Sequence, residues 1–149
     1  MPLTCPHDNA ELRPDRIHDI PIADCPTCHG AWFDLHALEE LERTATQNEE
    51  ALAGTIEFLE TPDALKCPSC GKPMQRFDYR AHNLQLDACD AEHGFWLDDG
   101  AAERVRQIMR EREADMRRSD HADATWKRER EAGFKPTIVE RMRKMLLGR

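Results

Sequence analysis

Six cysteines fall into two sets of three, and thiolates at this spacing are the ligands of a structural metal ion. Cys5, Cys25 and Cys28 form the first set; Cys67, Cys70 and Cys89 form the second. Both sets belong to an internal repeat. Cys5-Pro6-His7-Asp8 matches Cys67-Pro68-Ser69-Cys70 at an offset of 62 residues. Cys25-Pro26-Thr27-Cys28-His29-Gly30-Ala31-Trp32-Phe33-Asp34 matches Cys89-Asp90-Ala91-Glu92-His93-Gly94-Phe95-Trp96-Leu97-Asp98 at an offset of 64. A Cys-Pro-x-Cys turn brings two thiolates onto one ion, with proline fixing a backbone angle and nearby amides donating to the sulfurs. The first copy has 16 residues between Asp8 and Cys25 and the second has 18 between Cys70 and Cys89, the gaps of a zinc ribbon.

Structural zinc takes four ligands, so each set is one short. In the first copy Asp8 holds the register of Cys70, whereas the neighbouring His7 offers imidazole, the more usual zinc ligand. Asp8 is taken as the fourth ligand, with His7 as the alternative. In the second copy His93 completes a Cys3His set, a common one for zinc. Glu92 holds the register of Cys28 and is the alternative there. His93 also shares its register with His29, so a packing role in a repeated His-Gly-x-Trp turn stays open for it. Two zinc ions are expected. Iron in a rubredoxin-like site would call for four thiolates, and a thioredoxin-like redox pair needs a βαβ context that is missing.

These motifs resemble the zinc-ribbon family called the transcription factor IIB-type zinc finger, over roughly residues 3–42 and 65–104. Members carry Cys-Pro-x-Asp at the first knuckle, like Cys5 to Asp8, or a Cys…His-Gly-x-Trp ending, like Cys89 to Trp96. The resemblance implies zinc binding and a helix after Trp32-Phe33-Asp34 and Trp96-Leu97-Asp98. The usual Gly-Glu-Leu after that Asp is replaced by His36-Ala37-Leu38 and Gly100-Ala101-Ala102, so no role of that Glu carries over.

The elements that position the ligands follow from patterning. Phe77 and Tyr79, then Leu84 and Leu86, alternate with polar residues around a turn at Arg80–Asn83, giving a hairpin. Ile17, Ile20 and Ile22 do the same in the first copy, with Pro14 and Pro21 expected to break it up. Asp34 and Asp98 are candidate N-caps. Leu35, Leu38 and Leu41 fall on one face of the first helix, and Trp32 and Phe33 are expected to cover the zinc lobe from that side. A helical linker is expected over residues 44–64, with Leu52, Ile56 and Leu59 aligned. A long charged helix is expected over 99–131, its stripe running from Ala101 through Val105, Ile108, Met109 and Met116 to Trp126. A capping-box pattern starting at Thr137 opens a short amphipathic helix within 135–149, using Ile138, Val139, Met142, Met145 and Leu146. The fold class is therefore small α+β and metal-stabilised: two rubredoxin-like zinc ribbons, each followed by an α-helix, and a long C-terminal helix. The ribbons fall at 1–43 and 65–104.

Composition sets the limits. Only nine of 149 residues are aromatic, too few for one large core, and a lobe of about 35 residues buries too little surface to fold unaided. A structural zinc contributes on the order of 10–16 kcal/mol, enough to decide whether such a lobe folds. The longest stretch free of Asp, Glu, Lys and Arg is Cys25–Phe33, nine residues, so no membrane helix is expected. No signal segment opens the chain, and a reducing cytoplasmic setting with reduced thiols follows. The net charge of −8 divides unevenly: residues 1–100 hold 7 basic and 20 acidic residues, residues 101–149 hold 14 and 9. No catalytic constellation and no small-molecule substrate emerge. The expected function is protein interaction or self-association through the long helix and the 138–146 face. Nucleic-acid binding by the basic 101–149 segment is the alternative, and a zinc hydrolase or thiol redox protein a more distant one.

Overall fold

The computed structural model describes residues 2–54, 57–131 and 146. Strands β1 (Arg13–Ile17), β2 (Ile20–Asp24) and β3 (Ala31–Asp34) precede helix α1 (Leu35–Arg43) and a single turn, α2 (Glu49–Leu52). Strands β4 (Gln75–Asp78), β5 (Gln85–Ala88) and β6 (Gly94–Leu97) precede α3 (Ala101–Glu131). The fold is small α+β. Residues 1–113 and 114–149 form two compact units, with α3 contributing to both. No described helix is long and apolar enough to cross a membrane.

The two copies do not stand as separate ribbons joined by a helix, as the sequence suggests. They share one six-stranded antiparallel sheet in the order β1-β2-β3-β6-β5-β4. At its centre β3 pairs with β6, Trp32 opposite Trp96 and Phe33 opposite Phe95. The joint therefore sets equivalent residues of the repeat, the two tryptophans, face to face. A four-residue ribbon strand leaves a free row of backbone donors and acceptors, and the second copy supplies the matching row.

Strand alternation then separates residues that adjoin in sequence. Trp32 and Trp96 enter a buried cluster with Cys5, Cys25, Cys67 and Cys89, together with Leu12 and Met74. Phe33, Phe95 and Leu97 emerge on the opposite face. Trp32 and Phe33 thus cover different sides, against the expectation from sequence. Within α1, Ala37, Leu38 and Leu41 are buried, whereas Leu35 is 41% exposed and lies off the packed face. On α3 the buried residues are Ala101, Val105, Ile108 and Met109; the stripe does not continue, and Trp126 is 65% exposed.

Local chemistry explains the turns. His18 and Asp19 both adopt left-handed backbone (φ 49° and 65°), closing a two-residue hairpin whose twist suits the strands. Ile17 opposite Ile20 is the closing pair. Pro14 and Pro21 fall at the intervening pairs, where no ladder bond runs between β1 and β2. On its other side β1 is an edge, and β2 meets β3 only at Ala23 and Asp24, so the prolines do not break the hairpin. The second hairpin has a longer connection, with a 3-10 turn at Tyr79–Ala81 and left-handed backbone at Arg80, Ala81 and Asn83.

Two further expectations are corrected. Among its described residues the 44–64 linker is helical only at Glu49–Leu52, capped by the Asn48 side chain. Beyond it Phe58 bridges antiparallel to Phe77, and the Leu59 N–H donates to the Arg76 carbonyl at 2.7 Å. The exposed edge of β4 captures this segment as a short extra strand, which wins over the helical spacing of Leu52 and Leu59. Asp34 caps α1 by accepting from the Ala37 amide, but Asp98 does not cap α3. A turn through Gly100 (φ 79°) intervenes, and the Asp98 carboxylate is taken by the Trp96 indole N–H at 3.1 Å. The 135–149 helix lies outside the described residues, apart from Leu146.

Candidate metal centres

Each cluster of ligands is built from two backbone knuckles, one before the hairpin and one after it. In three of the four the geometry is the same. The first cysteine's amide donates to the carbonyl five residues on: Cys5 to Ala10, Cys25 to Gly30 and Cys67 to Lys72, each at 2.8 Å. The residue four places on turns left-handed and donates back to the cysteine carbonyl: Asn9, His29 and Gly71, with φ of 60°, 62° and 74°. The position three places on is then free to point its side chain at the ion. It holds Asp8, Cys28 and Cys70.

The fourth knuckle differs by one residue. Cys89 still donates to Gly94, at 3.1 Å, but the left-handed residue is Glu92 (φ 59°), whose N–H returns to the Cys89 carbonyl. Glu92 occupies the register of Cys28 but is spent on the turn, and His93 swings into the ligand position. The copies therefore use different registers at this knuckle, and His93 rather than Glu92 joins the cluster.

The first cluster brings together Cys5, Asp8, Cys25 and Cys28; the second brings together Cys67, Cys70, Cys89 and His93. In each, four candidate ligand atoms lie within 4.8 Å of one another. Cys5 Sγ lies 3.6 Å from Cys28 Sγ, and Cys25 Sγ lies 3.4 Å from Asp8 Oδ2. In the second cluster Cys70 Sγ lies 3.6 Å from Cys89 Sγ, and His93 Nδ1 lies 3.5 Å from Cys89 Sγ and 3.9 Å from Cys67 Sγ. A tetrahedral zinc with Zn–S bonds of about 2.3 Å sets its sulfurs about 3.8 Å apart, so the donor sets fit the ion in number, type and spacing. Among the described residues no other group of His, Cys, Asp or Glu converges in this way.

Electrostatics around the sulfurs follow burial and amide donation. Backbone N–H groups of His7, Thr27 and Ser69 point at Cys5, Cys25 and Cys67 at 3.3–3.4 Å. Burial pushes the Cys5 thiol up to about 12 and the Cys67 thiol up to about 11. The Lys72 amide brings Cys70 down to about 7. At Cys25 burial works upward, but the amides of Cys28 and Thr27 prevail and the thiol is lowered. The Ala10 amide, 2.9 Å from Asp8 Oδ1, holds the Asp8 carboxyl below its ordinary value. Asp8 is thus favoured as the anion a cation needs, while the raised thiols need the ion's own charge to ionise.

His7 does not join the first cluster. Its Nε2 lies 2.9 Å from Asp98 Oδ1, and its ring meets the edge of Trp96 at 6.1 Å between centroids. His29 is exposed and serves the turn. Sequence reasoning missed the two glycines of the repeated His-Gly-x-Trp. A Cβ on Gly30 would stand 2.4 Å from Trp96 Cζ2, and one on Gly94 would stand 2.9 Å from Trp32 Cζ2. Each glycine seats the indole of the other copy; the shared Gly-x-Trp spacing was the visible signal, but its partner lay across the sheet. Also missed was Asp87, 1% exposed on β5, which accepts from Arg76 Nε at 3.2 Å.

The sequence model of the family described as Transcription factor zinc-finger matches the chain twice, at residues 4–44 and 66–107. Each match holds one complete cluster. No curated protein and no solved structure matches the chain.

Proposed function

The chain belongs to the transcription factor zinc-finger family, and from that premise we propose that it is a non-catalytic, self-associating interaction protein built around two structural zinc ions. The ligands are Cys5, Asp8, Cys25 and Cys28 at one site, and Cys67, Cys70, Cys89 and His93 at the other. The observation that carries the reading is the closed donor set. Each cluster offers four protein atoms, whereas a catalytic zinc keeps a coordination position for water or substrate. The thiols call for a reducing compartment.

The interaction surface is α3. Of its 31 residues only those in its first turns are buried, and Trp126 stands 65% exposed among charged neighbours. An exposed tryptophan on a polar helix is an association anchor, because its large apolar face gains most from being covered. Light scattering on the full chain tests this. The expected result is a concentration-dependent oligomer that Trp126→Glu reduces to monomer with both zinc ions retained. A monomer at every concentration overturns self-association. The 14 basic residues of 101–149 support the second reading, nucleic-acid binding. Its mark is an affinity that falls steeply with salt.

A further inference from the structure

We propose that the two zinc sites load as a coupled pair, each metal knuckle forming the seat on which the other copy's tryptophan packs. This rests on the ligand sets above and goes beyond them. Gly30 closes the Cys25 knuckle through its carbonyl, and its α-carbon faces Trp96; Gly94 closes the Cys89 knuckle, and its α-carbon faces Trp32. The two indoles are 6% and 0% exposed and lie opposite each other across the β3–β6 joint. The first site's other knuckle reaches across as well. The His7 amide donates to Cys5 Sγ, while its ring contacts Trp96 and Asp98.

The energetics run in one direction. Neither copy buries enough apolar surface to hold its knuckles without metal. Zinc at the first site fixes the Cys25–Gly30 turn and so the surface that receives Trp96. Trp96 in place sets β6, and β6 begins at Gly94, the end of the Cys89 knuckle. The second site is then partly assembled before its ion arrives. The reverse path runs through Trp32 and Gly94. Linkage requires the effect to be reciprocal, and measured couplings of this kind span roughly 5- to 150-fold.

The test is a zinc titration of the metal-free full chain followed by native mass spectrometry. At one zinc per chain, two equal and independent sites put about half of the chains in the one-zinc form. Coupling predicts that the metal-free and two-zinc forms dominate. Because the two donor sets differ, a one-zinc form at half or above overturns the proposal when it is joined by an unchanged second-site affinity in the next arm. A second arm uses Cys25→Ser with Cys28→Ser and reads the remaining site by competition with a chromophoric chelator. The expected result is a loss of at least about fivefold in affinity at Cys67/Cys70/Cys89/His93; unchanged affinity overturns the coupling. A third arm uses Gly30→Ala, which keeps every ligand and needs no left-handed backbone. Its methyl group meets Trp96, and the one-zinc share is expected to rise. A share identical to that of the parent counts against the tryptophan seat. A chain that never reaches two zinc ions at saturation fails the ligand assignment itself, which the species distribution does not.

Discussion

At the residue scale, one left-handed position decides which side chain meets the metal. In three knuckles the left-handed residue follows the one that joins the cluster; in the fourth Glu92 takes that conformation and His93 joins the cluster. His93→Ala is expected to weaken zinc at the second site roughly a hundredfold or more, an even share of a structural zinc's 10–16 kcal/mol, as read by chelator competition. Glu92→Gly is expected to leave two zinc ions bound and to raise stability by up to about 1 kcal/mol, because glycine holds left-handed backbone without strain. Asp87 supplies a prediction in pH. Burial raises its carboxyl above the ordinary value, with Arg76 pulling it partway back. The folded chain therefore holds this proton more tightly than the unfolded chain, and ionisation costs stability as pH rises through the window just above the ordinary carboxylate value of about 3.9. Asp87→Asn, which does not titrate, is expected to gain on the parent in urea midpoint across that window. A difference that stays constant or shrinks refutes the burial account.

At the scale of elements, the hairpins and the cap of α1 were readable because each depends on neighbours in sequence: alternation, a turn, and an Asp before a helix. The linker was not, because the pairing of Phe58 with Phe77 spans nineteen positions and depends on a sheet edge that sequence does not display. Separations of 27 to 38 positions likewise hid the clamp that holds the linker. Arg80 donates to Glu42 at 2.7 Å, to the Leu52 carbonyl at 2.7 Å and to the Ala53 carbonyl at 2.9 Å. Both charged side chains are 11% exposed. Removing Arg80 leaves the buried Glu42 carboxylate and the Leu52 carbonyl without this donor, while the Ala53 carbonyl keeps Arg112 at 3.1 Å. Arg80→Ala is therefore expected to cost about 3–5 kcal/mol in urea unfolding. A loss below about 1 kcal/mol shows the pair to be solvent-screened like a surface bridge.

At the scale of the whole molecule, the thin supply of aromatic residues is placed where it does most. Both repeat tryptophans and four of the six cysteines share one buried cluster. Zinc is then expected to be a condition of folding for the sheet as a unit. Strong chelation is expected to remove the folded signal of both copies in a single step, followed by tryptophan fluorescence and thermal melting. A metal-free chain that still melts sharply at the parent temperature refutes this. Acid has the same direction of effect, since protons compete for every thiolate.

The sequence by itself determined the ligand types, the two sets, the repeat and the family resemblance, because metal chemistry is written in residue identity and short spacing. It left open Asp8 against His7 and His93 against Glu92. Tertiary structure brings Asp8 and His93 into the clusters rather than His7 and Glu92, and at His93 one backbone angle re-aims the side chain by a full register position. Tertiary structure alone also decided that the two ribbons are one sheet. A free strand edge has no sequence signature of its partner, and the glycine that seats a tryptophan lies about sixty residues from it in the chain.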